Sequence, residues 1–308
     1  MIKCLKSDLY RLIRGRGFYI FAVMIIILAI LAAFNNVPKF ELYEAEWEGK
    51  TTVVQRWEAF STNGEIVYET VPGEDVLREN KSRIMLESFK SLPLNSALYT
   101  FLFIIITEFL SERHKTMKNK VTAGITRSGI LLSKFILTSA VYTFTYLIHV
   151  IATAGFILAG KEDILVKAEY LEDSVLAFFA AGLLIISFTV LMLGIFYSIG
   201  PYACVALAVG FAAATVGLST YAENRLAELQ KTEIINGVEV VTPIEDASGH
   251  SSEIERTVCK GIICYNPLSV ADPDELLVKR EMRIRSVIIW FVIYDALSVL
   301  CFRKMERL

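Results

Sequence analysis

The chain has 308 residues, of which 54% are hydrophobic and only 21% charged, and its mean hydropathy is +0.50. Soluble domains sit nearer about 45–50% apolar, so the composition points to a membrane. A net charge of −2 and a pI near 6.0 give no electrostatic footing for nucleic-acid binding, and what matters is where the charge lies along the chain.

The first 16 residues carry Lys3, Lys6, Arg11, Arg14 and Arg16 against one acid, Asp8. Ile2, Leu5, Leu9, Leu12 and Ile13 recur at helical spacing, which predicts an amphipathic helix lying in the headgroup region. A positively charged flank whose spacing arises by chance is the other reading. The apolar stretch Gly17–Phe34 follows; it is longer than the core of a signal peptide and reads as a first spanning helix.

Residues 35–91 hold seven basic and eleven acidic side chains, with strand-like composition at Ile66-Val67-Tyr68. Leu92–Leu110 is the second apolar stretch, closed by Glu108. The segment 111–129 then turns basic, with Arg113, Lys115, Lys118, Lys120 and Arg127 against Glu112. Within it Met117, Val121 and Ile125 are four residues apart and align on one side of a short helix, which Gly124 ends or tightens. The lysines are then available to solvent or to a partner. A docking helix and a solvated basic loop fit that composition equally well.

Ile130–Ala159 forms the third stretch and contains His149. At its end, Gly155 through Gly160-Lys161 matches most of a phosphate-binding loop, but Glu162 stands where Ser or Thr binds magnesium, and no strand precedes it. Residues 160–173 are acidic, five side chains against two. The run Val175–Thr220 is too long for one crossing, and Gly200-Pro201 divides it into spans Ser174–Ile199 and Tyr202–Tyr221. Gly182, Gly194, Gly210 and Gly217 predict close packing between these two spans.

Residues 222–286 return to an acidic balance, twelve against eight, and include a strand-like Gly237–Val241 after the turn signal Asn236-Gly237. Cys259 and Cys264 lie together there; a local disulfide and two free thiols are equally weighted expectations. The sixth stretch, Val287–Phe302, is short, extended by the snorkelling Arg285 and Arg303, and carries Asp295 at its middle. Asp295 and His149 are the intramembrane polar candidates. For each, a structural hydrogen bond is weighed ahead of a ligand contact.

Net-basic segments therefore alternate with net-acidic ones across six spans, which places both termini in the cytoplasm and 35–91, 160–173 and 222–286 outside. The expected fold class is an all-α integral membrane protein: six transmembrane helices, an N-terminal interfacial amphipathic helix and two long extracytoplasmic loops. Three histidines in the chain, no zinc-type cysteine spacing and no convergent nucleophile set give enzyme chemistry little to build on.

Glu108, Glu112-Arg113, Thr116-Met117-Lys118-Asn119, Gly124, Arg127 and Ser133-Lys134 together resemble the pattern of ABC-2 type permeases, the membrane subunits of bacterial ABC exporters. Lys115 departs from that family's usual glycine and Thr126 from its usual serine. The resemblance implies a single permease domain over 1–308 in the plasma membrane, non-catalytic itself. A separate ATPase subunit would hold ATP and magnesium, and a second copy or a related permease would complete the transporter. It also implies roles within 111–129. Met117, Val121 and Ile125 would fill an apolar cleft on the ATPase, Lys115, Lys118 and Lys120 with Arg127 would fix its register, and Glu108 and Glu112, beside Arg113 and Gly124, would anchor the hinge. Export of antimicrobial peptides or drugs is the expected cargo class. The alternative is a membrane scaffold or sensor that presents its outer loops.

Overall fold

The computed structural model describes residues 2–35, 41–47, 50–56, 68–70, 74–112, 120, 124–159, 168–235, 238–243, 250–267 and 280–304. The chain begins with α1 (Ile2–Arg14) and α2 (Arg16–Asn35), bent by 66° relative to one another at Gly15. On α1 the face turned to the protein is Cys4, Asp8 and Leu12, at successive turns, while Ile2, Leu9 and Ile13 are exposed. The apolar stripe read from the sequence is thus divided, with Leu12 on the core and three others free to meet acyl chains.

Among the described residues, five helices are long and apolar enough to cross a membrane, over Leu92–Leu110, Arg127–Phe156, Ser174–Ser198, Pro201–Leu226 and Ile284–Arg303. A sixth crossing is counted when the bent pair α1–α2 forms one span. The helices that contain the five are α3 (Glu74–Glu112), α4 (Arg127–Ala159), α5 (Ala168–Ser198), α6 (Pro201–Leu229) and α8 (Arg280–Lys304); α7 (His250–Tyr265) lies between the last two. α3 has 39 residues, about 58 Å at 1.5 Å per residue, so its first turns extend well beyond the crossing segment. α4 stays helical through Gly155 to Ala159, which is not the loop a phosphate cradle needs.

α5 is the central helix, packed on α3, α4, α6 and α8. Gly182 is where α4 comes closest: a Cβ there would lie 2.6 Å from Cε1 of Tyr142. Gly194 receives α8 in the same way, with Cys301 and Phe302 against it. Gly210 and Gly217 face open space. α5 and α6 do pack together, as expected of spans four and five, but the close glycine contacts are those of α5 with α4 and α8, and α6 is the least buried of the five crossing segments. Gly200, at φ 130°, makes the break between α5 and α6, because only glycine adopts that backbone without strain.

Two small antiparallel sheets lie in the segments expected to be loops, so "all-α" describes the membrane body alone. β1 (Glu41–Trp47), β2 (Lys50–Arg56) and β3 (Tyr68–Thr70) form one, and β4 (Gln230–Ile235) with β5 (Val238–Pro243) forms the other. Val238–Val241 of the second strand-like segment falls in β5, and Tyr68 of the first opens β3. Ile66, Val67 and Gly237 lie outside the described residues.

α7 packs Cys259, Ile263 and Cys264 against Ala222 and Leu226 of α6. Both cysteines are free thiols. Five residues apart on one helix, they are offset by about 7.5 Å along the axis. A disulfide needs Cα atoms within about 7 Å and converging Cβ vectors, so the local bridge is ruled out by the helix itself.

Candidate functional site

At the end of the bundle marked by Gly200, five chain segments bring ionisable side chains together out of solvent. α1 supplies Asp8 and Arg11, one turn apart on its inward edge. α3 supplies Glu108 from its last turns, and α4 supplies Lys134 from its second. α5 contributes Tyr197 at its terminus, and Lys120 comes from the stretch between α3 and α4. Asp8, Glu108, Lys120 and Lys134 are all buried, while Arg11 is partly exposed.

Lys134 Nζ lies at the centre, 2.5 Å from Glu108 Oε1 and 3.3 Å from Asp8 Oδ2. Arg11 Nη2 donates to the same Glu108 Oε1 at 2.7 Å, and the Tyr197 hydroxyl donates to Oε2. Lys120 Nζ closes the set on Asp8 Oδ1 at 2.5 Å. Three cations therefore share two carboxylates. Each carboxylate is held by more than one positive group, which is the condition under which burying a charge is tolerated. Arg11 Nε and Nη1 are buried and make no hydrogen bond, so the cluster is richer in donors than in acceptors.

The local backbone explains how Lys120 reaches inward. Gly124 takes φ 74°, the left-handed region that favours glycine, and the Ile125 N–H donates to Lys120 O at 3.2 Å, which fixes Lys120 relative to the start of α4. Ile125 then packs against the main core. Thr126 Oγ1 accepts from the Gly129 N–H as α4 begins, which serves as its N-cap.

Of the residues singled out in the sequence, Glu108 sits in the cluster and Gly124 takes the left-handed backbone of a tight turn. One expectation is corrected: Lys120 is buried and paired with Asp8 rather than available to a partner. Ile125 is half-buried, one side of it against the main core. Arg127 opens α4 partly buried. Arg113, Lys115, Met117, Lys118 and Val121, with the side chain of Glu112, lie outside the described residues.

His149 is a buried core histidine: its Nδ1 shares a 2.6 Å hydrogen bond with Ser96 Oγ of α3, and the Tyr99 ring lies 5.5 Å away. Asp295 is partly exposed on α8, with Ser187 of α5 beside it but outside hydrogen-bonding geometry. Neither reaches the cluster. Among the described residues no set of three His, Cys, Asp or Glu side chains is placed to hold a metal ion.

Asp8, Arg11 and Tyr197 had no assigned role in the sequence reading, and Lys134 only marked the start of a span. The signal for Asp8 was its being the lone acid in a basic flank, and for Lys134 its position inside an apolar stretch. Searches of protein-family models and of curated proteins give no match to this chain. The functional reading therefore rests on the geometry above and on the sequence pattern. Chemically the cluster offers no activated nucleophile and no open coordination position. It can hold α1, α3, α4, α5 and the 120 region in one arrangement, and release them when that arrangement is disturbed.

Proposed function

We propose that this chain is the membrane-spanning permease subunit of an ATP-binding cassette exporter, driven by a separate ATPase that docks on residues 111–129. In this reading the chain crosses the plasma membrane six times with both termini in the cytoplasm, α2 serving as the first span. It works with a second copy or a related permease. ATP and magnesium belong to the partner, and the permease contributes conformational gating rather than covalent chemistry. Antimicrobial peptides or drugs are the proposed cargo.

The observation that carries the reading is the pairing of Lys120 with Asp8 beside the Lys134–Glu108 pair. Any force applied to the 111–129 segment is delivered through buried charges to α1, α3 and α4 together. A solvated basic loop needs no such tether, and a static scaffold gains nothing from tying a surface helix to two spans. Lys120 serves as the strut in this scheme, which leaves Met117 and Val121 as the docking knobs and Lys118 with Arg127 to fix the register.

Mild-detergent purification of the tagged chain from its native host, with bound proteins identified by mass spectrometry, tests the reading. A stoichiometric P-loop ATPase is expected, and Met117→Asp or Val121→Asp is expected to lose it while still inserting in the membrane. Recovery of the chain alone, or with receptor-type partners, would overturn the proposal in favour of a scaffold or sensor.

A further inference from the structure

α7 runs antiparallel beside α6, and two polar ties fix how the helices are aligned. Arg225 Nη2 of α6 donates to Glu255 Oε2 of α7 at 3.0 Å, and Asn266 Nδ2, just past the end of α7, donates to Thr215 O at 2.7 Å. The two ties are about 15 Å apart along either helix axis, at 1.5 Å per residue. Between them Cys259 and Ile263 sit on Ala222 and Leu226. A helix lying flat across the end of the bundle could make one tie but not both, so α7 descends along α6.

The crossing segments give that descent a depth. Pro201–Leu226 has 26 residues, about 39 Å, which exceeds a hydrocarbon core of about 30 Å by about 9 Å. Thr215 lies about 16 Å from the Leu226 end, so it is inside the core even if the whole excess falls at that end. On α8, Trp290 stands about 9 Å inside Ile284–Arg303, and its Nε1–H donates to Tyr265 O at 2.6 Å. Backbone groups at a helix end need partners where water is absent. The end of α7 meets that condition: Trp290 caps the Tyr265 carbonyl, the Asn266 N–H donates to Ile263 O at 3.4 Å, and Pro267 has no N–H to satisfy.

Opposite Cys259 and Ile263, α7 exposes Ile254, Val258 and Tyr265 along one edge, with half-buried Gly261 and Ile262 beside them. The charges of this helix sit where they are tolerated. Glu255 is paired with Arg225 at the shallow end, and the exposed Lys260 has a stem long enough to carry its ammonium back toward the headgroups.

We propose that α7 is a re-entrant helix, entering the bilayer from the side at which α6 ends, and that its Ile254–Val258–Tyr265 edge is a docking surface for lipid acyl chains. The depth names the occupant, because the medium around crossing helices at that level is hydrocarbon. At the same levels α6 exposes Val216 and Tyr221 to it. The assignment stands apart from the exporter reading: it uses no residue of the ion cluster or of 111–129, and it holds for either orientation of the chain.

The test uses the full chain in lipid nanodiscs, its five cysteines replaced by alanine, with a nitroxide on one new cysteine at Ile254→Cys, Val258→Cys or Tyr265→Cys. Val216→Cys, beside Thr215 on α6, is the lipid-facing reference. Power saturation reads collisions with oxygen, which dissolves in hydrocarbon, and with nickel-EDDA, which stays in water. The oxygen-to-nickel ratio is expected to climb several-fold from Ile254→Cys to Tyr265→Cys and there to equal that of Val216→Cys. A ratio that stays flat along the helix would overturn the re-entrant placement. Few collisions with either reagent at Tyr265→Cys would mean that protein, such as a second copy of this chain, covers the edge, and the lipid surface would be abandoned. Should the labelled variants fail to fold, hydrogen exchange of the unmodified chain decides the placement. Amides over 259–265 are expected to exchange as slowly as those over 212–222 of α6, and exchange at the rate of an open surface helix contradicts it.

Discussion

Lys120 Nζ rests 2.5 Å from Asp8 Oδ1 although 112 residues separate them in the chain. The two belong to segments that each look like ordinary basic flanks of a membrane span, and their meeting turns a surface helix into part of the bundle. Cys4, fully buried one turn before Asp8, reports on that seating, with its Sγ 3.8 Å from Asp8 Oδ2.

Asp8→Asn removes the charge that Lys120 and Lys134 share. α1 is expected to lift more often, and maleimide labelling of Cys4 in a variant lacking the other four cysteines should quicken on the order of tenfold. Labelling at the wild-type rate would mean that α1 is held by its apolar contacts alone.

Glu108→Gln leaves the buried Lys134 without its closest counter-charge. The expected loss, in a denaturant titration in detergent, is up to about 3–5 kcal/mol, because three cations are left sharing Asp8 alone out of water. Adding Lys134→Met to that variant is expected to restore part of the loss, since the double change removes both charges. A double variant as unstable as the sum of the singles would contradict direct pairing.

Gly182→Ala places a methyl group where Cε1 of Tyr142 lies 2.6 Å away. The Tyr142 ring also stacks on Phe178, and its hydroxyl donates to Phe178 O at 2.9 Å, so it has little room to yield. A cost of about 1–3 kcal/mol is expected, against a neutral Gly210→Ala, where nothing lies within 4 Å of the added atom. Melting temperatures of the two variants in one detergent decide it.

The two cysteines of α7 are expected to carry a full complement of alkylating label without prior reduction, as peptide mass spectrometry can read. Burial pushes the Cys264 thiol up, with Lys260 opposing it in part. A raised value means less thiolate at a given pH. The alkylation rate of Cys264 should therefore keep climbing at pH values where an ordinary exposed thiol has levelled off.

Much of the membrane body was legible because hydropathy is additive along the chain. The crossing segment Leu92–Leu110 has the bounds that its composition indicates, and Gly200-Pro201 breaks the long run where a glycine and a proline meet. Gly124 likewise takes a left-handed backbone, φ 74°, that its residue type permits. What stayed hidden was pairing across long separations. Glu108 lies 97 residues from Arg11 and 89 from Tyr197, and nothing in either neighbourhood encodes the other. Helical spacing gave the amphipathic α1 but not its inward edge, because Asp8 turned inward, at the cost of desolvation, once Lys120 and Lys134 were there to receive it. The glycines were legible for a related reason only in part: α5 packs on α6, but its own glycines receive α4 and α8.

The ion cluster also sets an order of manufacture. Asp8, Arg11 and Glu108 leave the ribosome before Lys120 and Lys134, so the early part of the chain carries two carboxylates and one of their three cations. Until Lys120 and α4 arrive, Arg11 with Glu108 is, among the described residues, the one ion pair between α1 and α3, and Asp8 lacks both of its lysines. The nascent chain thus remains half-latched at its start until its third long apolar segment arrives. A polypeptide truncated before Lys134 would expose that half-latched state to the cell's membrane proteases.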